Sequence, residues 1–212
     1  MMNLGGPLFR TRAALAEGKE VRIIALGSSS TSGVGASSPA KSYPAVLQRK
    51  LIESFKNTRI RIDNMGIGGQ DIGAMLGRLD REIIPARPHL VVWQVGTNAA
   101  LRRMNVNDFR QRLDRGVDRL KTAGADVILM TPQYAPAVLK LPDEETYVAA
   151  MAGIAEAKNV GLFPRFEIMR VWFEKERMPF ARFITEDELH LNDFGYACTG
   201  ELLAEAIVRA VR

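Results

Sequence analysis

The chain predicts a three-layer α/β/α sandwich on a five-stranded parallel sheet. Five short apolar runs, rich in β-branched residues, are separated by segments with helical spacing. Strand alternating with helix gives a parallel sheet covered on both faces. The run from His89 to Val95 is apolar almost throughout, which fits a central strand buried on both sides. No linker, internal repeat or low-complexity stretch divides the 212 residues, a length that fits one domain. Residues 1–212 are therefore read as one domain, with 1–20 as an N-terminal extension packed on it or leading into it.

Residues 21–27 form a β-branched run ending in Gly27, read as a buried strand. Leu47, Leu51 and Phe55 recur every four residues behind Pro44 and predict a helix. Ile60 and Ile62 alternate with Arg59, Arg61 and Asp63, which predicts a half-exposed strand over 59–65 near a sheet edge. Residues 72–83 carry the next helical pattern. Phe109, Leu113, Val117 and Leu120 carry another, with Asn107 as N-cap and Gly124 as stop. Strands over 126–130 and 160–163 enclose a helix over 144–158, and a further helix follows over 165–176. Asn192 or Asp193 caps a last helix running toward Arg212.

Composition excludes several functions. With Cys198 as the single cysteine, no intramolecular disulfide and no cysteine metal site can form. His89 and His190 are the only histidines, too few for a histidine-rich metal centre. The net charge is +5, but no contiguous basic run exceeds two residues, so a mixed solvated surface is expected and no nucleic-acid partner. No apolar run approaches the roughly 18 residues that span a bilayer, so no membrane insertion is expected. The first 18 residues contain Arg10, Arg12 and Glu17 and no apolar core of a signal peptide. That predicts a cytoplasmic protein. The Met1-Met2 start also fits a replaced export signal, which would make it periplasmic or secreted. No pattern selects an oligomeric state.

Ligands of open parallel sheets bind beyond the carboxyl ends of the strands. There the sequence gathers Gly27 to Gly33, Asn64 to Asp71, Gly96-Thr97-Asn98, Thr131 to Tyr134, and Asp187 to His190. The first loop is not a phosphate-binding loop, because it has no lysine before Lys41. Gly27, Gly33 and Gly35 have the wrong spacing for a dinucleotide fingerprint. No acidic residue marks a phosphoacceptor, and no Gly-x-Ser-x-Gly elbow occurs.

What remains is a cluster of serines, a histidine with an aspartate three residues before it, and donors on the intervening loops. A serine hydroxyl needs an adjacent base to act as a nucleophile. The base needs a carboxylate to fix its tautomer, and Asp187 lies within reach of His190. An oxyanion needs preorganised donors, available from backbone N–H groups near Ser29 and Gly69 and from the Asn98 amide.

The order of these blocks resembles the SGNH/GDSL hydrolase family over nearly the whole chain. Its first block, usually Gly-Asp-Ser-Leu/Ile-Thr, reads Gly27-Ser28-Ser29-Ser30-Thr31 here. The glycine of an Asn-x-x-Ile-x-Gly stretch falls on Gly69, the Asn of Gly-x-Asn on Asn98, and Asp-x-x-His on Asp187 and His190, continued by Leu191 to Tyr196. The resemblance implies a flavodoxin-like SGNH hydrolase fold and a serine esterase. It makes Ser29, His190 and Asp187 the triad, and Ser29, Gly69 and Asn98 the oxyanion hole, with no cofactor and no metal. Ser28 replaces the usual Asp and removes a charged acceptor, and Ala99 replaces an Asp often found after the Asn.

The expected substrate is a small-molecule or carbohydrate ester with a short acyl chain such as acetyl. The same machinery serves thioesterases and lysophospholipases, and a non-catalytic binding module on this fold is the reading from another class. Tyr134, Pro136, Val171, Trp172, Phe173, Met178, Pro179 and Phe180 are candidates for an acyl or alcohol pocket, with Trp172 also fitting core packing. Ser28 and Ser30 are read as turn serines, Asn192 and Asp193 as caps, His89 as structural and Cys198 as a small buried side chain.

Overall fold

A computed structural model describes residues 3–212; the paired methionines at the start lie outside them. Five strands form one parallel sheet in the order β2-β1-β3-β4-β5. They are β1 Val21–Gly27, β2 Ile60–Gly66, β3 Leu90–Gln94, β4 Asp126–Met130 and β5 Gly161–Phe163. The apolar run at 89–95 supplies the middle strand, buried at every position. The alternating run supplies the edge strand β2, whose exposed Arg61 pairs with Asp63 at 2.7 Å.

Helices cover both faces. Helices α1 Phe9–Ala16, α2 Ser29–Ser32 and α3 Tyr43–Ser54 precede β2, and α4 Ile72–Leu76 follows it. Then come α5 Thr97–Leu101, α6 Val106–Thr122, α7 Pro136–Leu139, α8 Glu144–Lys158, α9 Arg165–Glu174 and α10 Asp193–Val211. Leu47, Met169 and Leu203 of α3, α9 and α10 pack on one face, with Ile23, Val92 and Ile128. Met75, Leu113 and Met151 of α4, α6 and α8 pack on the other, with Ile24, Trp93 and Leu129.

Three local readings are corrected. The helix expected over 72–83 is α4 followed by a wider turn at Leu79–Ile83 and a tighter one at Ile84–Ala86. The cap of α6 is Asn105, whose side chain accepts from the N–H groups of Asn107 and Asp108; Asn107 is inside the helix. The helix expected to reach Glu176 ends at Glu174. The stretch 3–20 contains α1, anchored where the Thr11 N–H and hydroxyl both donate to Asp126 Oδ2 at 2.8 Å. Leu162 N–H donates to Leu4 O at 2.7 Å, so this segment also lies along the outer strand β5.

Strand order reverses at β1, whose neighbours are β2 and β3. The chains leaving β1 and β3 diverge there and open a crevice at the carboxyl rim. No helix among the described residues is long and apolar enough to cross a membrane.

Candidate active site

Strand β1 ends at Gly27, and the chain turns at once into the single turn of α2, with Ser29 as its first residue. The turn is tight: a Cβ on Gly27 would stand 2.1 Å from Thr31 Oγ1. The next strand closes equally near, since a Cβ on Gly66 would stand 2.2 Å from the Ser32 nitrogen. Ile67 N–H donates to Gly27 O at 3.1 Å and Asn64 Nδ2 to Thr31 O at 2.8 Å, which fixes the β2 loop against α2.

Ser29 Oγ lies 2.8 Å from His190 Nε2. The other ring nitrogen, Nδ1, lies 2.5 Å from Asp187 Oδ2. The three groups named from the sequence are thus joined in a line across 161 residues of chain. The segment from Asp187 to His190 is a turn, not a helix, and Glu188 takes a left-handed φ of 60°. Asp187 Oδ1 accepts from Thr185 Oγ1 at 2.6 Å and from the N–H groups of Leu189 and His190 at 2.9 Å each. Partial burial alone pushes this carboxyl up. The Thr185 hydroxyl, the imidazole and the two N–H groups outweigh it and hold Asp187 well below the usual carboxylate range. The turn is tied outward by Ala137 N–H to Glu188 O at 3.0 Å and by a Lys140–Glu188 ion pair.

Gly69 has φ 75°, in the region that favours glycine. Its N–H and that of Ser29 have no protein partner among the described residues. Asn98, on α5, donates through Nδ2 to Gln70 O at 2.8 Å, leaving its second amide hydrogen available. The structure therefore joins Asn98 to the Gly69 loop, while neither residue hydrogen-bonds Ser29 directly.

Three contributors were not found from sequence. Gln94, at the end of β3, accepts the Ser28 N–H at 2.9 Å, the Ser28 hydroxyl at 3.1 Å and the Thr31 hydroxyl at 3.2 Å, all on Oε1. Arg102 donates to Gly69 O at 2.7 Å and pairs with Asp71 at 2.5 Å. Arg165 is 1% exposed and donates to Thr131 O at 3.1 Å and Gln133 Oε1 at 2.8 Å. Burial lowers its guanidinium pKa to about 10. The signal for Gln94 was its place at the end of the central strand beside the rim.

His89 Nδ1 accepts the Arg22 N–H at 3.0 Å, a structural contact, and burial lowers its pKa. Asn192 caps α10 by accepting from Gly195 N–H, and Asp193 instead binds Ser37. Ser28 precedes α2, and both it and Ser30 are buried. Cys198 is half-buried rather than buried. Trp172 packs edge-on against Phe183 in the core. Tyr134 is also buried, its hydroxyl donating to Glu174 at 2.9 Å, and only Phe173 of the aromatic set is markedly exposed.

The sequence model of the Non-GDSL lipase-like family matches residues 1–212. The chain is 24% identical over 169 residues to an arylesterase of Vibrio mimicus, covering 80% of each. Its fold is similar to that of a two-domain esterase active on acetylated mannans, with a TM-score of 0.80, 20% identity and 97% of this chain covered. It spans about half of that protein's length, 54%. An acetyl xylan esterase matches with a TM-score of 0.74 and 22% identity, over 91% of this chain and 100% of that one.

Proposed function

We propose that this chain, which belongs to the Non-GDSL lipase-like family, is a serine esterase that hydrolyses carboxylic esters through an acyl-enzyme intermediate. The observation that carries this reading is one imidazole with Ser29 Oγ on Nε2 and Asp187 on Nδ1. That arrangement supports proton removal from the serine at neutral pH.

Ser29 Oγ attacks the ester carbonyl carbon while His190 Nε2 takes the hydroxyl proton. Asp187 stays ionised, holds the proton on Nδ1 and stabilises the imidazolium. The carbonyl oxygen becomes an oxyanion and takes hydrogen bonds from the N–H groups of Ser29 and Gly69 and from Asn98 Nδ2. Collapse breaks the bond to the alcohol oxygen, which leaves with the proton from Nε2. Water then attacks the acyl-serine, His190 accepts its proton, and the carboxylic acid departs as Ser29 is re-protonated. No step uses a cofactor.

The substrate class we propose is a short-chain ester, acetyl above all, on a small alcohol or a carbohydrate. The similarity in fold to esterases active on acetylated mannans and to an acetyl xylan esterase supports it. The test is hydrolysis of p-nitrophenyl acetate and of acetylated oligosaccharides, with fluorophosphonate labelling read by mass. Ester turnover, a single adduct on Ser29 and loss of both in folded Ser29→Ala are expected. An unlabelled folded chain with no turnover favours the binding-module reading, and turnover by Ser29→Ala removes the serine from the mechanism.

A further inference from the structure

We infer that Gln133 is a positioning residue whose single amide ties the helix carrying Asn98 to the turn carrying Asp187 and His190, and so fixes oxyanion donor and base relative to each other. The inference rests on the serine-triad reading above. Gln133 follows β4 and is 1% exposed. Its Oε1 accepts from Thr97 Oγ1 at 2.9 Å, and its Nε2 donates to Leu189 O at 3.2 Å. Thr97 precedes Asn98 and Leu189 precedes His190, so each link is one residue from a group the reaction uses.

A buried amide can be turned end for end, and here Arg165 decides the orientation. Its Nη2 stands 2.8 Å from Gln133 Oε1. A guanidinium only donates, so the carbonyl end must face it and the NH₂ end must face Leu189 O. Arg165 is fully buried without a carboxylate partner among the described residues. Burying a charge unpaired is unfavourable, and an aliphatic side chain would avoid that cost. What an aliphatic side chain lacks is a donor that fixes the Gln133 amide. The path runs from Arg165 through Gln133 to both halves of the site, and no atom of it needs to touch substrate.

Three variants test the role. Gln133→Met removes both links. Gln133→Glu keeps an acceptor for Thr97 and Arg165 but cannot donate to Leu189 O. Thr97→Val removes only the link to α5. A displacement near 1 Å at a reacting group can lower a rate by about 10²-fold. We expect Gln133→Met and Gln133→Glu each to lower kcat per titrated active site by about 10- to 100-fold, with KM held within about two-fold. Thr97→Val falls less. The downfield proton resonance of the His190–Asp187 hydrogen bond moves in both Gln133 variants and stays in place in Thr97→Val. Gln133→Glu keeps its charge paired with Arg165, so it carries the test where Gln133→Met fails to fold. Folded Gln133→Glu with wild-type kcat and an unmoved resonance overturns the role. If Ser29→Ala is inactive in the same assay, only the positioning role falls; if Ser29→Ala turns over, the triad reading falls first.

Discussion

Gln94 gives Ser28 the acceptor that an aspartate at position 28 would otherwise bring to the nucleophile loop. Its Oε1 receives both donors of Ser28, the N–H at 2.9 Å and the hydroxyl at 3.1 Å, and the Thr31 hydroxyl as well. The departure in the first sequence block therefore leaves the loop ordered by a neutral amide from the neighbouring strand. The acceptor has moved from the loop to β3.

An aspartate at position 28 is expected to harm this protein. In Ser28→Asp a carboxylate faces Gln94 Oε1 in a position that is 3% exposed. Turning the amide to donate would withdraw the acceptor from Ser28 N–H and Thr31. Either outcome leaves a buried polar group unsatisfied, which costs roughly 1 to 3 kcal/mol. Thermal unfolding should show a lowered Tm, and an unchanged or raised Tm would refute the account.

Arg102 should matter to rate and hardly to stability. Its side chain is 54% exposed, and exposed ion pairs contribute about 0 to 1 kcal/mol. The same guanidinium holds Gly69 O and Asp71, so it fixes the peptide loop that presents the Gly69 N–H. Arg102→Ala is expected to keep its Tm within a few degrees and to lose roughly 10-fold in kcat. Arg102→Lys should recover little, because an ammonium does not reproduce the two-pronged contact. Wild-type kcat in Arg102→Ala would separate the clamp from catalysis.

The long elements were legible because their packing is written locally. The run at 89–95 needs two covered faces, and the four-residue spacing of Leu47 and Leu51 needs one. The line of Ser29, His190 and Asp187 was legible because Ser29 follows a strand end and the blocks carrying all three come in the order a known family uses. Helices of four or five residues, such as α2 and α5, carry no periodicity and exist through the loops packed on them. Two asparagines flank Val106, and the one nearer the apolar pattern is not the cap, because Val106 already belongs to the helix. Gln94 and Gln133 were hidden for a different reason: their partners lie 66 and up to 56 residues away, and only folding brings them together.

One variant of Asn98 should test both its loop contact and its proposed oxyanion bond. Its Nδ2 holds Gln70 O at 2.8 Å, so Asn98→Ala frees the loop next to Gly69 and should lower Tm modestly. In the proposed oxyanion role the remaining amide hydrogen meets charge that appears only in the transition state, so kcat should fall by about 10² to 10³ with little change in KM. Unfolding and active-site titration on one preparation separate the two effects. A lowered Tm with unchanged kcat per titrated site reduces Asn98 to a turn residue.

The Asp187 carboxyl should shape the acid side of the stability profile and stay out of the pH–rate profile. Asp187 adds no limb above about pH 4, since its carboxyl lies below the ordinary range. Its folded pKa is depressed, so its contribution to stability is present above the unfolded value of about 4 and is lost as pH falls through the lower folded value. Thr185→Val removes the Oγ1 donor to Oδ1 and should raise that carboxyl, narrowing the acid loss. Melting temperatures from pH 2 to 7 for both proteins check the sign, and identical curves would contradict it.

Asp187→Asn gives the sharpest test of the triad, because the turn dictates how the new amide must sit. Three donors converge on Oδ1: the Thr185 hydroxyl and the N–H groups of Leu189 and His190. An asparagine satisfies them only with its carbonyl oxygen at that position. Its NH₂ group then takes the place of Oδ2 and points at His190 Nδ1. Nδ1 must accept, so the ring proton moves to Nε2, the nitrogen that faces Ser29 Oγ at 2.8 Å. A protonated Nε2 cannot receive the serine proton. With the fold and the hydrogen-bond geometry retained, kcat should fall on the order of 10⁴-fold with KM little changed, while Tm falls by what the ionised carboxyl contributes. Ring-nitrogen NMR would show the proton on Nδ1 in the parent and on Nε2 in the variant. A folded Asp187→Asn enzyme that keeps its rate with the tautomer reversed would falsify the role of His190 as base.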